Sequence, residues 1–304
     1  MRPDIHKYSF TAMASECEIL LGGLAEEEAK VLAQSAQDEV KRIEHKYSRY
    51  REDSLLSEIN NRSREAPVNC DQETLNLLQK ADLLYRTSGG LFDATSGVLR
   101  QVWDFKKAEL PNPEALEQLL SLIDWSAVVC DGNTVSLSRE GMELDFGGFG
   151  KEYAADCAAQ VLSNGGASSG YVNLAGDFRV VGPKPNGQPW SMGIRDPRDP
   201  DKIFASIPVN GGALVTSGDY ERYIEIGDKR YCHILNPRTG YPVNYWQSVS
   251  VLAPTALMAG SFSTICMLQE EQGREFLERS KFPFLAINHE GQIIQRSAPD
   301  TTNR

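Results

Sequence analysis

Gly170-Tyr-Val-Asn-Leu-Ala-Gly-Asp-Phe-Arg-Val-Val-Gly182 reads as two strands broken by a turn at Ala175-Gly176-Asp177. Aromatic and β-branched residues fill both arms, and the glycine in the joint allows backbone conformations that other residues avoid. The same pattern continues downstream. Trp190 opens a strand that ends in a proline-rich loop at 195–201, and further strands are expected over 204–209, 212–217, 222–226, 230–235 and 248–253. An apolar helix over 256–267 and a short polar helix over 271–279 follow. A last hairpin, 284–288 with 292–296, turns at Glu290-Gly291.

Upstream the pattern is mainly helical. One strand is expected within 8–21, around the run 13–21, stopped by Gly22-Gly23. In the amphipathic helix over 24–47, Val31 or Leu32, Ala36, Val40, Ile43 and Tyr47 recur at spacings of three and four. A polar, aromatic connection at 48–60 leads into a short helix. Another helix spans 72–87 behind Asp71 as N-cap, and a further one spans 111–123. Residues 125–137 form a hairpin around Asp131-Gly132-Asn133, and a short strand from Met142 runs into a glycine-rich turn and a helix through Leu162. Antiparallel strand runs, with helices clustered between 24 and 123, predict an α+β fold of largely antiparallel sheets with packed helices. One domain over 1–304 is expected, with a folded core at 8–297 and a flexible tail from 298.

The composition, 41% hydrophobic and 24% charged over 304 residues, is that of a chain able to bury a large core. A formal charge of −11 argues against nucleic acid or an anionic membrane as partner, since both are held by Lys and Arg. No window approaches the roughly 18 apolar residues of a membrane span. The start, Met1-Arg2-Pro3-Asp4-Ile5-His6-Lys7, has no apolar signal core. The six cysteines are scattered without metal-ligand spacing and read as reduced thiols. Together these predict a cytoplasmic protein as the sequence is written, or an exported one if a leader has been removed.

Chemistry-bearing residues are few. The chain has four histidines, and His233 stands between a strand and a tight turn in Tyr231-Cys-His-Ile-Leu-Asn-Pro-Arg-Thr-Gly240. A neutral imidazole there can accept a proton near pH 7, as a general base or hydrogen-bond hub. Leu144-Asp-Phe-Gly-Gly-Phe-Gly-Lys151 puts backbone amides and a lysine at a helix start, a credible anion site. It matches neither the Walker phosphate loop nor the dinucleotide fingerprint. Gly89-Gly-Leu-Phe-Asp93 makes a sharp turn that can present an apolar face and a carboxylate.

Taken in order, Ser48-x-Tyr50-x-x-x-Ser54, Gly90-Leu-Phe-Asp-Ala-Thr95, Leu144 to Lys151, Asn173-Leu-Ala-Gly-Asp177, Thr216-Ser-Gly-Asp-Tyr220 and His233 to Gly240 closely resemble the FAD:protein FMN transferase (ApbE) family, from about Met13 to Met267. The resemblance implies an ApbE-like, T-fold-like architecture. It also implies magnesium-dependent transfer of FMN from FAD to a Ser or Thr hydroxyl of an acceptor protein, with release of AMP. It assigns Met13, Tyr50, Leu91, Phe92, Asp93, Asp145, Lys151 and His233 to the flavin nucleotide, with His233 as the catalytic base. It assigns Gly148 and Thr264 to the metal.

The family segment A-D-A-L-A-T reads Ala259-Gly-Ser-Phe-Ser-Thr264 here, so the metal-binding aspartate is replaced by Gly260. Magnesium favours one or two carboxylates with phosphate and water oxygens. Asp145 and Asp177 are candidates to make up the lost charge, and Ser261 offers only a neutral hydroxyl. Two alternatives therefore stand beside the transferase: a flavin-binding or regulatory homologue without turnover, and a hydrolase splitting FAD into FMN and AMP.

Overall fold

The computed structural model describes residues 4–62, 65–199 and 201–297. The tail expected from 298 lies outside them. β1 (Ile5–Ala12) and β2 (Ser15–Gly22) form a hairpin where the pattern predicts one strand. The joint is Met13 and Ala14, with φ of 52° and 57°, the two positive values of a type I′ turn. Neither residue favours that region, but the Met13 N–H donates to Glu44 Oε1 at 2.6 Å.

α1 (Glu26–Tyr47) buries Ala36, Val40, Ile43 and Tyr47 as its periodicity predicts, but at its start the buried residues are Ala29 and Ala33, with Leu32 half-buried and Val31 exposed. α2 (Leu55–Arg62) and β3 (Val68–Asn69) follow. α3 (Gln72–Thr87) has the expected bounds, and its Asp71 cap accepts from the Thr74 N–H at 3.0 Å. α4 (Pro113–Leu120) is shorter than 111–123 because Asn112 caps it just ahead of Pro113. β4 (Val128–Asp131) and β5 (Thr134–Leu137) pair as expected, with β3 on the outer side of β5.

The strand expected from Met142 is absent. The Leu144 backbone is bonded instead by the Asn60 side chain of α2, which donates from Nδ2 to the Leu144 carbonyl at 3.0 Å and accepts at Oδ1 from the Leu144 N–H at 2.7 Å. α5 (Gly150–Asn164) begins directly after the glycine-rich turn.

The remaining strands are β6 (Gly170–Leu174), β7 (Asp177–Gly182), β8 (Trp190–Arg195), β9 (Ile203–Val209), β10 (Gly212–Gly218), β11 (Tyr223–Ile226), β12 (Lys229–Cys232) and β13 (Trp246–Ala253). α6 (Ala256–Leu268), α7 (Gly273–Ser280), β14 (Phe284–Asn288) and β15 (Ile293–Arg296) complete the described chain. The main sheet has eight strands in the order β1-β2-β6-β7-β10-β13-β14-β15, every pair antiparallel.

Alternation along the strands builds a core on each face of this sheet. Ala213 and Val215 of β10, with Phe284 and Ala286 of β14, point into the larger core, which also takes the buried faces of α1, α5 and α6. Leu214, Leu285 and Ile287 point the other way, against Trp190, Met192, Ile194 and Val209 of the β8–β9 hairpin. Ala29, Ala33 and Ala36 of α1 and Ala154, Ala155, Ala158 and Ala159 of α5 are buried, and small side chains let these helices approach closely. All six cysteines are free, and Cys17, Cys70, Cys232 and Cys266 are buried. No helix among the described residues is long and apolar enough to cross a membrane.

Candidate active site

β12 delivers His233 into a loop that closes on itself. The Gly240 N–H donates to the Asn236 carbonyl at 2.8 Å, and the Arg238 N–H donates to Asn236 Oδ1 at 2.9 Å. Gly240 has φ of 71°, and a side chain there would meet Leu116 at 2.5 Å, so glycine is required on two counts. Trp103 Nε1 donates to the Gly240 carbonyl at 2.7 Å, and the Arg238 guanidinium donates to the Gly89 carbonyl at 2.5 Å. The loop is thereby tied to the turn that precedes Leu91-Phe92-Asp93.

Both the backbone N–H and Nδ1 of His233 face the Arg222 carbonyl, at 3.0 and 3.2 Å. A carbonyl oxygen only accepts, so Nδ1 carries the proton of the neutral ring and Nε2 keeps its lone pair. Burial, then the Arg222 guanidinium, with a smaller contribution from Lys151, pushes the His233 pKa down to about 4. At pH 7 the ring is neutral and able to take a proton.

The glycine-rich turn sets the next group. A Cβ on Gly148 would lie 3.0 Å from the Phe92 ring, so the turn runs flush against that aromatic. One step into α5, Lys151 Nζ sits 2.7 Å from Oδ2 of Asp177, the buried first residue of β7. Burial works against the lysine's charge, but the carboxylates of Asp177 and Glu152 outweigh it and hold Lys151 protonated. The lysine of the expected anion site is thus protonated and ion-paired with Asp177.

Glu152 is 7% exposed, and its Oε2 has no hydrogen-bond partner. Burial, reinforced by Asp177, pushes its pKa up to about 8. Its carboxylate occupies the space over Gly260 of α6, where a Cβ would meet Oε1 at 2.5 Å and Cγ at 2.6 Å. One turn along α5, Asp156 accepts at Oδ1 from the Ala256 N–H at 2.8 Å and at Oδ2 from the Leu257 N–H at 2.9 Å. Arg179 Nε donates to the same carboxylate at 2.8 Å. Asp156 and the Thr255 N-cap satisfy the start of α6 and fix its position along α5.

Other motif residues occupy distinct settings. Met13 is half-buried in the strained β1–β2 turn. Tyr50 is 75% exposed, so it is not a packing aromatic; its hydroxyl accepts from Arg49 at 3.0 Å. Arg49 also pairs with Asp145. Leu91 is half-buried, whereas Phe92 is buried against Phe149, ring centroids 6.2 Å apart. Asp93 is buried and turned inward, with Oδ1 accepting from the Thr95 N–H at 2.8 Å and the Thr95 hydroxyl at 2.6 Å. Thr264 Oγ1 lies 3.1 Å from Ser217 Oγ, and the Ser261 hydroxyl donates to the Leu257 carbonyl at 2.6 Å.

The carboxylate opposite Gly260 belongs to neither residue expected to compensate. Asp145 is held by Arg49, Asp177 by Lys151, and Ser261 is committed to its own helix. Glu152 had no signal in the sequence, because a glutamate in the first turn of a helix ordinarily faces water. A buried carboxylate with a free oxygen, beside Gly260 and on the same helix pair as Thr264, fits a divalent cation by the chemistry of its donors.

Residues 13–286 match the ApbE family model. The chain is 33% identical to an FAD:protein FMN transferase of Treponema pallidum over 72% of its own length and 66% of that protein. It is 31% identical to the Klebsiella pneumoniae protein of the same name, over 86% of this chain and 82% of that one. The crystal structure of the ApbE protein of Thermotoga maritima superposes with a TM-score of 0.89 at 29% identity, covering 97% of both chains. The flavin transferase ApbE of Vibrio cholerae does so with 0.85 at 26% identity, again over 97% of both chains.

Proposed function

The chain belongs to the ApbE family, and from that premise we propose that it transfers the FMN half of FAD to a Ser or Thr hydroxyl of an acceptor protein. The acceptor oxygen bonds to the FMN-side phosphorus, the bond from that phosphorus to the bridging oxygen breaks, and AMP leaves with the bridging oxygen. The acceptor's proton passes to Nε2 of His233. The observation that carries this reading is the commitment of Nδ1 to the Arg222 carbonyl, which presents Nε2 as the proton acceptor of a ring kept neutral by burial.

The nucleotide phosphates would add negative charge beside the His233 ring. They would lie against Lys151, and their charge raises the basicity of His233 during the reaction. The flavin half is assigned to Met13, Tyr50, Leu91 to Asp93 and Asp145. Gly148 and Thr264 would hold Mg2+, which supplies neutralisation of charge on the phosphate oxygens. The remaining contribution of the chain is positioning, since in-line attack depends on holding both oxygens about the phosphorus.

The test mixes the protein with FAD, Mg2+ and an acceptor domain validated with an established transferase, and measures flavin fluorescence that survives denaturation. Covalent flavin is expected, and His233→Gln should lower its rate by about 10²–10⁴ while FAD binding persists. AMP release with no need of acceptor would establish the hydrolase instead. FAD bound and left intact under varied metals would establish the binding homologue.

A further inference from the structure

We propose that Glu152 is the carboxylate ligand of this protein's divalent cation, reaching across from α5 to the place on α6 where Gly260 leaves no side chain. The proposal rests on the transferase reading for the site's location, and on the observed geometry for the identity of the ligand.

Two independent observations carry it. The first is the unpartnered oxygen: Glu152 is 7% exposed, and Oε2 has no donor among the described residues. An isolated buried carboxylate is expensive, and such groups in folded proteins find a donor, a counter-charge or a metal. Its cationic neighbour on α5, Lys151, is already paired with Asp177.

The second is complementarity. The Glu152 carboxylate fills the volume that any side chain on Gly260 would need, down to 2.5 Å from Oε1. Asp156 holds the two helices in this register by accepting from the N–H groups of Ala256 and Leu257. Rungs 156 with 256 and 152 with 260 are each one turn apart, and Thr264 stands one turn further along α6. One carboxylate, a threonine hydroxyl and a backbone carbonyl, completed by phosphate oxygens and water, is the donor set a hard cation such as magnesium takes.

A positional swap tests the idea, with Mn2+ as probe and free Mn2+ followed by its electron paramagnetic resonance signal, with and without FAD. Wild type is expected to take up one equivalent, and Glu152→Gln to weaken that uptake at least tenfold while keeping its fold. Gly260→Asp alone should also fail, because its Cβ would lie 2.6 Å from the Glu152 Cγ. The combination of Glu152→Gly with Gly260→Asp should recover Mn2+ uptake to within a few-fold of wild type. Undiminished uptake by Glu152→Gln, no recovery in a folded double variant, or no uptake by wild type in either condition would each overturn the proposal. Mn2+ binding that depends on Glu152 in a protein that transfers no flavin would leave the ligand assignment intact and remove only the transferase reading.

Discussion

Asp156 and Glu152 stand one turn apart on α5 and both reach α6, yet their surroundings are opposite. Asp156 has two backbone N–H donors and the Arg179 guanidinium on its oxygens. Glu152 has an oxygen with no donor and lies against a glycine. A carboxylate with its partners in place fastens two helices together, whereas one without them is a cost that the rest of the fold sustains. The difference separates a residue kept for architecture from one kept for chemistry, on a single helix face.

The comparison can be broken most sharply at Asp156. Asp156→Ala strips Arg179 of its ion-pair partner and leaves two N–H groups at the start of α6 without their acceptor, and should destabilise by about 3 kcal/mol, the low end for a buried pair because both side chains keep some exposure. Urea denaturation reads this directly, and a loss of only a few tenths would show that the rung is not structural. Glu152→Gln should do the reverse, raising stability by about 1–2 kcal/mol in metal-free, chelator-treated protein. Its pH dependence fixes the cause. The folded-state pKa of Glu152 lies near 8, above its ordinary 4.5, so its stabilising contribution is complete below 4.5 and lost as pH rises toward 8. The gain in Glu152→Gln should therefore grow across that window, and a gain constant with pH would point away from ionisation.

His233 offers the mirror image and the smallest effect at neutral pH. Its folded pKa near 4 lies below the ordinary 6.5, so its contribution is present above 6.5 and lost as pH falls through 4. Thermal melts of His233→Gln should match wild type at pH 7 and lose less stability than wild type between 6.5 and 4. Parallel curves would show that the imidazole is not held neutral.

Much of this was legible in the sequence where the signal is local. The antiparallel run from Gly170 to Ala253, α3 with its Asp71 cap, and the helix that follows the glycine-rich turn rest on alternation, capping and glycine, all read within a short window. Other features depend on contacts across the chain. The Met13-Ala14 turn carries no glycine or asparagine, and Glu44, thirty-one residues away, receives its N–H. The expected strand at Met142 is displaced because the Asn60 side chain takes its hydrogen bonds. His233, Lys151 and Asp177 are legible as residue types, but the Lys151–Asp177 pair and the Nδ1 contact of His233 join residues of separate segments. Glu152 was invisible because its burial is decided by the Gly260 face of another helix.

The contact between Arg238 and the Gly89 carbonyl spans 149 positions of the chain. It means that the spacing between the proposed proton acceptor and the proposed flavin cradle belongs to no contiguous segment. Neither half can be borrowed as a peptide or grafted as a loop, and a nascent chain released before residue 238 would lack the gauge that spaces them. Under the transferase reading, catalytic competence is then itself a proof-reading signal: covalent flavin would be deposited only by molecules whose two distant parts have already met.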